Sequence, residues 1–143
     1  MSSFKHKVFV VQKISIAEWL LLVESWWMLL GFYLALLFVS YDRLNKWTPP
    51  LSRKISNSFA YQAFAERLKR LVDISSRLHL LPMTCLVRSL ALRWMLNKRG
   101  IPVQLCIGVS KTLIGMHAHA WVEINGQPIG DVQDVAERFK KLT

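Results

Sequence analysis

The sequence predicts an α+β chain in which helices come first and a small antiparallel sheet follows. Three observations carry this reading. Tyr61, Phe64, Ala65, Leu68, Leu71 and Val72 recur at three- and four-residue spacing, with Glu66, Arg67, Lys69 and Arg70 between them, which is the pattern of an amphipathic helix. "LPMTCLVRSLALRWMLNKRG", residues 81–100, sets Pro82 and Thr84 before a helix-forming run and Lys98, Arg99 and Gly100 at its end, the usual start and stop signals of a second helix. "HAHAWVEINGQPIGD", residues 117–131, alternates in character and then meets Asn125-Gly126, a strong signal for a β-hairpin.

Composition narrows the classes. At 143 residues the chain is one ordinary domain, or a small domain with a helical piece attached, and can bury a core without disulfides. With 52% hydrophobic and 20% charged residues it is not a disordered chain. A mean hydropathy of +0.26 implies large apolar surfaces that face a membrane or a partner. The net charge of +10 makes nucleic acid, anionic lipid or an acidic peptide electrostatically acceptable partners without choosing among them. The chain has two cysteines, Cys85 and Cys106, and no cleavable signal pattern, which fits a reduced, cytoplasmic setting. Neither cysteine lies in a metal-ligand spacing, and no cofactor motif is evident.

Taken in order, the first element is the run from Trp19 to Ser40, whose only charge is Glu24. It is apolar enough to be tested as a membrane span. Glu18 and Glu24 lie beside or within it, Gly31 weakens it, and its charge-free part from Ser25 to Tyr41 falls slightly short of the roughly 18–20 residues a span needs. Burying Glu24 in hydrocarbon would cost a few kcal/mol on insertion scales. Helices packed over a protein core, with both glutamates at a wet rim or paired with arginines, are the cheaper arrangement. Basic residues flank the run on both sides, so they set no orientation, and no small-residue site follows it.

"TPPLSRKISNS", residues 48–58, reads as a linker. It divides an apolar helical segment, 1–50, from a second part, 51–143. The amphipathic helix that follows should run from about Phe59 to Leu78, and its basic face reads as solvated. No stacking aromatics or nucleic-acid motif accompany it, so nucleic acid is not expected as a partner.

In the next helix Leu86, Val87, Leu90, Leu92, Trp94, Met95 and Leu96 cover much of the circumference, which marks it as central and mostly buried. Cys85 falls in its first turn. Unpaired N–H groups and the positive helix end favour a thiolate there, the reactive form of cysteine, and the same N–H groups can receive an oxyanion. Cys106 sits in the β-like run "IPVQLCIGV", where a small buried thiol is the ordinary reading.

A cysteine nucleophile needs a base, and the base needs a group to hold it. In the hairpin, Met116, Ala118, Ala120, Val122 and Ile124 alternate with His117, His119, Trp121 and Glu123, so both histidines share one face. The strand from Gln127 to Asp131 should return antiparallel and bring the aspartate near them. Catalysis and a plain surface hairpin both fit these residues.

"CLVRSLALRWMLNKRGIPVQLCIGV" followed by "AHAWVEINGQPIGD" resembles the leader-peptidase B proteins of lasso peptide biosynthesis, a transglutaminase-like cysteine protease family. The likeness spans about Pro82 to Asp131. The apolar "IAEWLLLVESWWMLLGFYLALLF" is similar in composition to the helical segment preceding this domain in the family. The resemblance implies a papain-like or transglutaminase-like α+β fold, with the cysteine helix packed on a sheet bearing His and Asp. It implies residues 51–143 as the protease domain, Cys85 as nucleophile, His119 as base and acid, and Asp131 as the group that orients it, with Asp134 the runner-up. His117 is then a neighbour lining the cleft, or the base itself. Trp121 and Glu123 belong to the motif, with packing and a structural hydrogen bond as their expected roles.

The implied reaction is removal of the leader from a ribosomally made lasso precursor, with no cofactor evident. The partners implied are that precursor, a separate leader-binding protein as in the stand-alone form, and an ATP-dependent cyclase that closes the macrolactam. A cytoplasmic location, with at most peripheral membrane contact, accompanies them. Two alternatives use the same fold: an acyltransferase that resolves the acyl-enzyme with an amine, and a non-catalytic, membrane-associated peptide-binding module.

Overall fold

A computed structural model describes residues 15–47, 58–130 and 135–142. In chain order the elements are α1 (Ile16–Phe38), α2 (Tyr41–Trp47), α3 (Ser58–Leu78), α4 (Cys85–Lys98), β1 (Gln104–Thr112), β2 (Gly115–Ile124), β3 (Gln127–Pro128), α5 (Val135–Arg138) and β4 (Lys140–Lys141). The strands form one antiparallel sheet in the order β3-β2-β1-β4. Helices followed by a small antiparallel sheet is the predicted α+β architecture. The expected linker lies, apart from Ser58, outside the described residues.

The apolar N-terminal run is a helix with a sequence-encoded start. Ser15 and Glu18 form a reciprocal capping box, the Ser15 N–H donating to Glu18 at 3.0 Å and the Glu18 N–H to the Ser15 hydroxyl at 3.3 Å. One stripe of α1, Leu22, Ser25 and Leu29, is buried, and the helix packs on α3 and α4. Buried hydroxyls need partners, and Ser25 and Ser75 find them together: their hydroxyls lie 2.6 Å apart, so one donates to the other, and the acceptor hydroxyl donates to the Leu22 carbonyl, which lies 2.9 Å from Ser25 and 3.0 Å from Ser75.

Both acidic residues of α1 are paired with arginines beneath it, one on α3 and one just past the end of α4. Glu18 meets Arg67 at 2.7 Å and Glu24 meets Arg99 at 2.6 Å, with Lys98 at 3.5 Å. A backbone hydrogen bond from Ser15, then Arg67, holds the Glu18 carboxyl below its usual value. Burial pushes the Glu24 carboxyl up, but Arg99 and Lys98 outweigh it and hold it low. The outer face of α1 stays bare: Ile16, Leu20, Val23, Trp27, Leu34 and Leu37 are exposed. By length and composition α1 is also a helix that could cross a membrane.

The main core lies between the helices and one face of the sheet. Leu29 of α1, Leu68 and Val72 of α3, Leu90 and Met95 of α4, and Leu105, Val122 and Ile124 of the strands pack in one cluster. On the sheet's other face Cys106 and Trp121 pack with Val135 and Phe139 of the C-terminal segment. The strand β2 is therefore covered on both faces from Ala120 to Ile124 and exposed from Gly115 to Ala118.

The Asn125-Gly126 turn forms as expected, both residues having positive φ. The return strand is shorter than the predicted Gln127 to Asp131. Only Gln127 and Pro128 pair as a ladder, Ile129 adds one bond to the Val122 carbonyl at 2.9 Å, and Gly130 turns away with φ +64°. Proline supplies no N–H, and a left-handed glycine cannot continue extended pairing.

Candidate active site

The site is built where the start of α4 meets β2. Thr84 caps α4, its hydroxyl accepting the Val87 N–H at 3.4 Å and its carbonyl the Arg88 N–H at 3.1 Å. Cys85 is thus the first helical residue. With those two donors occupied, the N–H groups of the first two helical residues, Cys85 and Leu86, have no partner within the helix. Ser89, one turn on, donates its hydroxyl to the Ala120 carbonyl at 3.0 Å, fastening the helix to the strand beside His119.

A cleft of about 100 Å³ opens at this junction, lined by Cys85, Arg88, Ser89 and Leu92 of α4, by Lys69, Val72 and Asp73 of α3, and by His119 to Val122 of β2. Four consecutive strand residues belong to both faces of a pleat, so the cleft opens on the edge of β2. Cys85 is half-buried and His119 likewise. The structure brings these two predicted site residues to one cleft. Asp131 and its runner-up Asp134 lie outside the described residues.

His117 departs from its expected place. It shares the parity of His119 but stands on the exposed outer part of the β1–β2 hairpin, opposite Ser110, and is not among the residues lining the cleft. Two residues along a strand is a displacement of roughly 7 Å, enough to carry it past the rim. Cys106 is wholly buried beneath Trp121. Burial, reinforced by the nearby Glu123, pushes its thiol up to about 11, so it is a packed thiol.

His119 rests in aromatic surroundings. Its ring stacks on Trp121 with centroids 5.9 Å apart and planes at 17°, and meets Phe139 at 5.3 Å. Trp121 in turn donates its indole N–H to Glu123 at 2.8 Å, and the other Glu123 oxygen receives Lys141 at 3.0 Å. That bond raises the Lys141 ammonium above its ordinary value. The packing and hydrogen-bonding roles expected of Trp121 and Glu123 are both present.

The polar wall of the cleft is not legible in the sequence. Lys69, taken as part of a solvated face, is directed to the cleft and meets Asp73 at 2.7 Å, while Arg88 meets the other Asp73 oxygen at 3.3 Å. The i,i+4 spacing of Lys69 and Asp73 was a usable signal for their pairing, but not for which side of the helix meets the strand. Among the described residues no group of three His, Cys, Asp or Glu side chains could hold a metal ion.

The model of the transglutaminase-like superfamily matches residues 28–143, from the middle of α1 to the end of the chain. The chain is also similar to the Microcin J25-processing protein McjB of Escherichia coli, with 34% identity over 71 residues, covering 50% of this chain and 33% of that protein. It thus aligns with about a third of the relative's length. No solved structure matches.

Proposed function

This chain belongs to the transglutaminase-like superfamily, and we propose that it is a lasso peptide B protein: a cysteine peptidase that removes the leader from a ribosomally made precursor. The observation that carries the reading is the shared cleft of a helix-start cysteine, Cys85, and a strand histidine, His119. The likeness to a microcin-processing protein supplies the substrate class.

In this reading the Cys85 thiolate attacks the carbonyl of the leader's last residue, and the oxyanion is received by the Cys85 and Leu86 N–H groups. His119 gives a proton to the departing amine, which is the new N-terminus of the core, and leaves a thioester on Cys85. His119 then takes a proton from water as it attacks that thioester, and the leader leaves as a carboxylate with the thiolate restored. Asp131 orients the imidazole. The released amine is the group that a separate cyclase joins into a macrolactam. No cofactor enters the scheme.

The bare outer face of α1 suits a leader-binding partner, and the protein is cytoplasmic with at most peripheral membrane contact. Two features support this over a span: the Glu18–Arg67 and Glu24–Arg99 pairs tie α1 to the domain, and its inner stripe is already buried.

The test is incubation of the chain and its leader-binding partner with the precursor, followed by mass spectrometry. Free leader ending in a carboxylate, plus free core, is the expected result. Intact precursor under conditions where the partner binds it would overturn the reading, and a leader joined to an added amine would identify an acyltransferase instead.

A further inference from the structure

We infer that Trp121 is a positioning residue for His119, locked by Glu123 and Lys141 on one side and seated over the bare backbone of Gly108 on the other. The inference rests on the reading of His119 as the base that partners Cys85.

A half-exposed histidine on a strand has several rotamers open to it, yet a base that must take a proton from one atom and return it to another has to keep one orientation. Here the ring lies against Trp121 at 17° and 5.9 Å and against Phe139 at 5.3 Å. Trp121 is itself unable to turn. It is 1% exposed, and its indole N–H is committed to Glu123 at 2.8 Å. Glu123 is 2% exposed and completed by Lys141 from the C-terminal strand.

Gly108 closes the arrangement from below. On β1 it stands directly opposite His119 of β2. A Cβ there would lie 2.8 Å from Phe139 Cβ and 2.9 and 3.0 Å from Trp121 Cη2 and Cζ3. The glycine answers to a space requirement of these two rings.

Packing alone does not account for this set. A buried carboxylate is costly to desolvate, and an apolar residue at 123 would serve a core at least as well. What the carboxylate adds is direction: it fixes which way the indole faces, and the indole face is what meets the imidazole. Gly108 of β1, Glu123 of β2 and Phe139 of the C-terminal segment all meet that one ring.

The experiment is the rate of Cys85 alkylation by iodoacetamide on the full chain, mapped by mass spectrometry, at about pH 6 and about pH 9.5. It needs no substrate, so it stands apart from leader cleavage. At about pH 6 an ordinary exposed thiol is almost wholly protonated and fast reaction needs help from the histidine, whereas at about pH 9.5 such a thiol is largely ionised without it. Trp121→Leu and Gly108→Ala should each slow alkylation roughly tenfold at the lower pH, towards the His119→Ala rate, and leave the higher-pH rate unchanged. Trp121→Phe, which keeps a ring on the imidazole but loses the bond to Glu123, should recover only part of it. In a His119→Ala background, Trp121→Leu should add nothing. Folding of each variant is followed by thermal melting, and where Trp121→Leu does not fold, Phe139→Leu gives the same reading. Wild-type alkylation at the lower pH in a folded Trp121→Leu or Phe139→Leu chain overturns the inference alone. Wild-type alkylation in His119→Ala overturns it together with the base assignment.

Discussion

Cys85 and Cys106 are the two thiols of this chain, and the fold places them in opposite settings. Cys85 opens a helix and lies half-buried in a cleft that it shares with His119. Cys106 lies in the middle of a strand, roofed by Trp121 and faced by the buried Glu123, with its thiol pushed up to about 11. The same side chain becomes a candidate reagent in one place and a piece of packing in the other. The difference is one of surroundings: a helix start in an open cleft beside a histidine in the first case, a low dielectric and a neighbouring carboxylate in the second.

The strongest way to break this comparison is to exchange each sulfur in turn. Cys85→Ala should reduce leader cleavage to background, a loss of at least about a thousandfold, while Cys106→Ala should cleave within a few-fold of wild type. Mass spectrometry of the precursor reads both. Comparable losses from the two would show that the contrast is not a functional one.

The histidines extend the contrast along β2. His119→Ala should lose on the order of a hundredfold or more in kcat/KM, and His117→Ala, beyond the rim of the cleft, should keep most of its activity. Asp131→Asn should fall between them, because an orienting group acts through the imidazole. Equal losses at His117 and His119 would mean that the hairpin rearranges when substrate binds.

Chemical labelling sharpens the comparison without substrate. Iodoacetamide applied to the folded chain at neutral pH should modify Cys85 almost alone, with Cys106 reacting only after denaturation. Preferential labelling of Cys106 in the native protein would reverse the assignment of roles.

The smallest effect is one of stability. Cys106→Ala leaves a small void and should cost about 1 kcal/mol by denaturant titration near neutral pH. The same substitution should blunt unfolding by alkali. A group whose folded value is raised contributes stability that is lost as pH rises from the unfolded value towards the folded one, which for Cys106 is between 9.0 and about 11. Wild type should therefore lose stability across that window more steeply than Cys106→Ala, and parallel curves would show that the thiol is not excluded from water.

Local signals were the legible part of the sequence. Thr84 before an apolar run, Gly100 after it and Asn125-Gly126 between alternating residues fixed α4 and the β2–β3 turn because caps and turns are decided by neighbouring residues. The pairing of Glu18 and Glu24 with arginines was legible in kind, since carboxylates in an apolar helix need partners, but Arg67 and Arg99 could not be named from it. What stayed hidden depends on contacts across the chain. Lys69 and Asp73 line the cleft only because α3 turns that edge to β2, and Arg93 is buried through an amide from α2, Asn45 at 2.7 Å. His117 and His119 have the same strand parity, and only the length of the projecting hairpin separates them.

The two ion pairs of α1 also govern how the molecule can meet a surface. Arg67 belongs to α3 and Arg99 follows α4, so the helix is pinned near both ends of its first half to the scaffold that carries Cys85. Pulling it into a bilayer would strand two guanidinium groups and the Ser75 hydroxyl at once. Any sheet of lipid or protein that takes up the outer face of α1 must therefore take the whole domain with it, in one fixed attitude. A substrate arriving on that same sheet would then meet the cleft at a constant height and angle, and its search would be reduced from a volume to a plane.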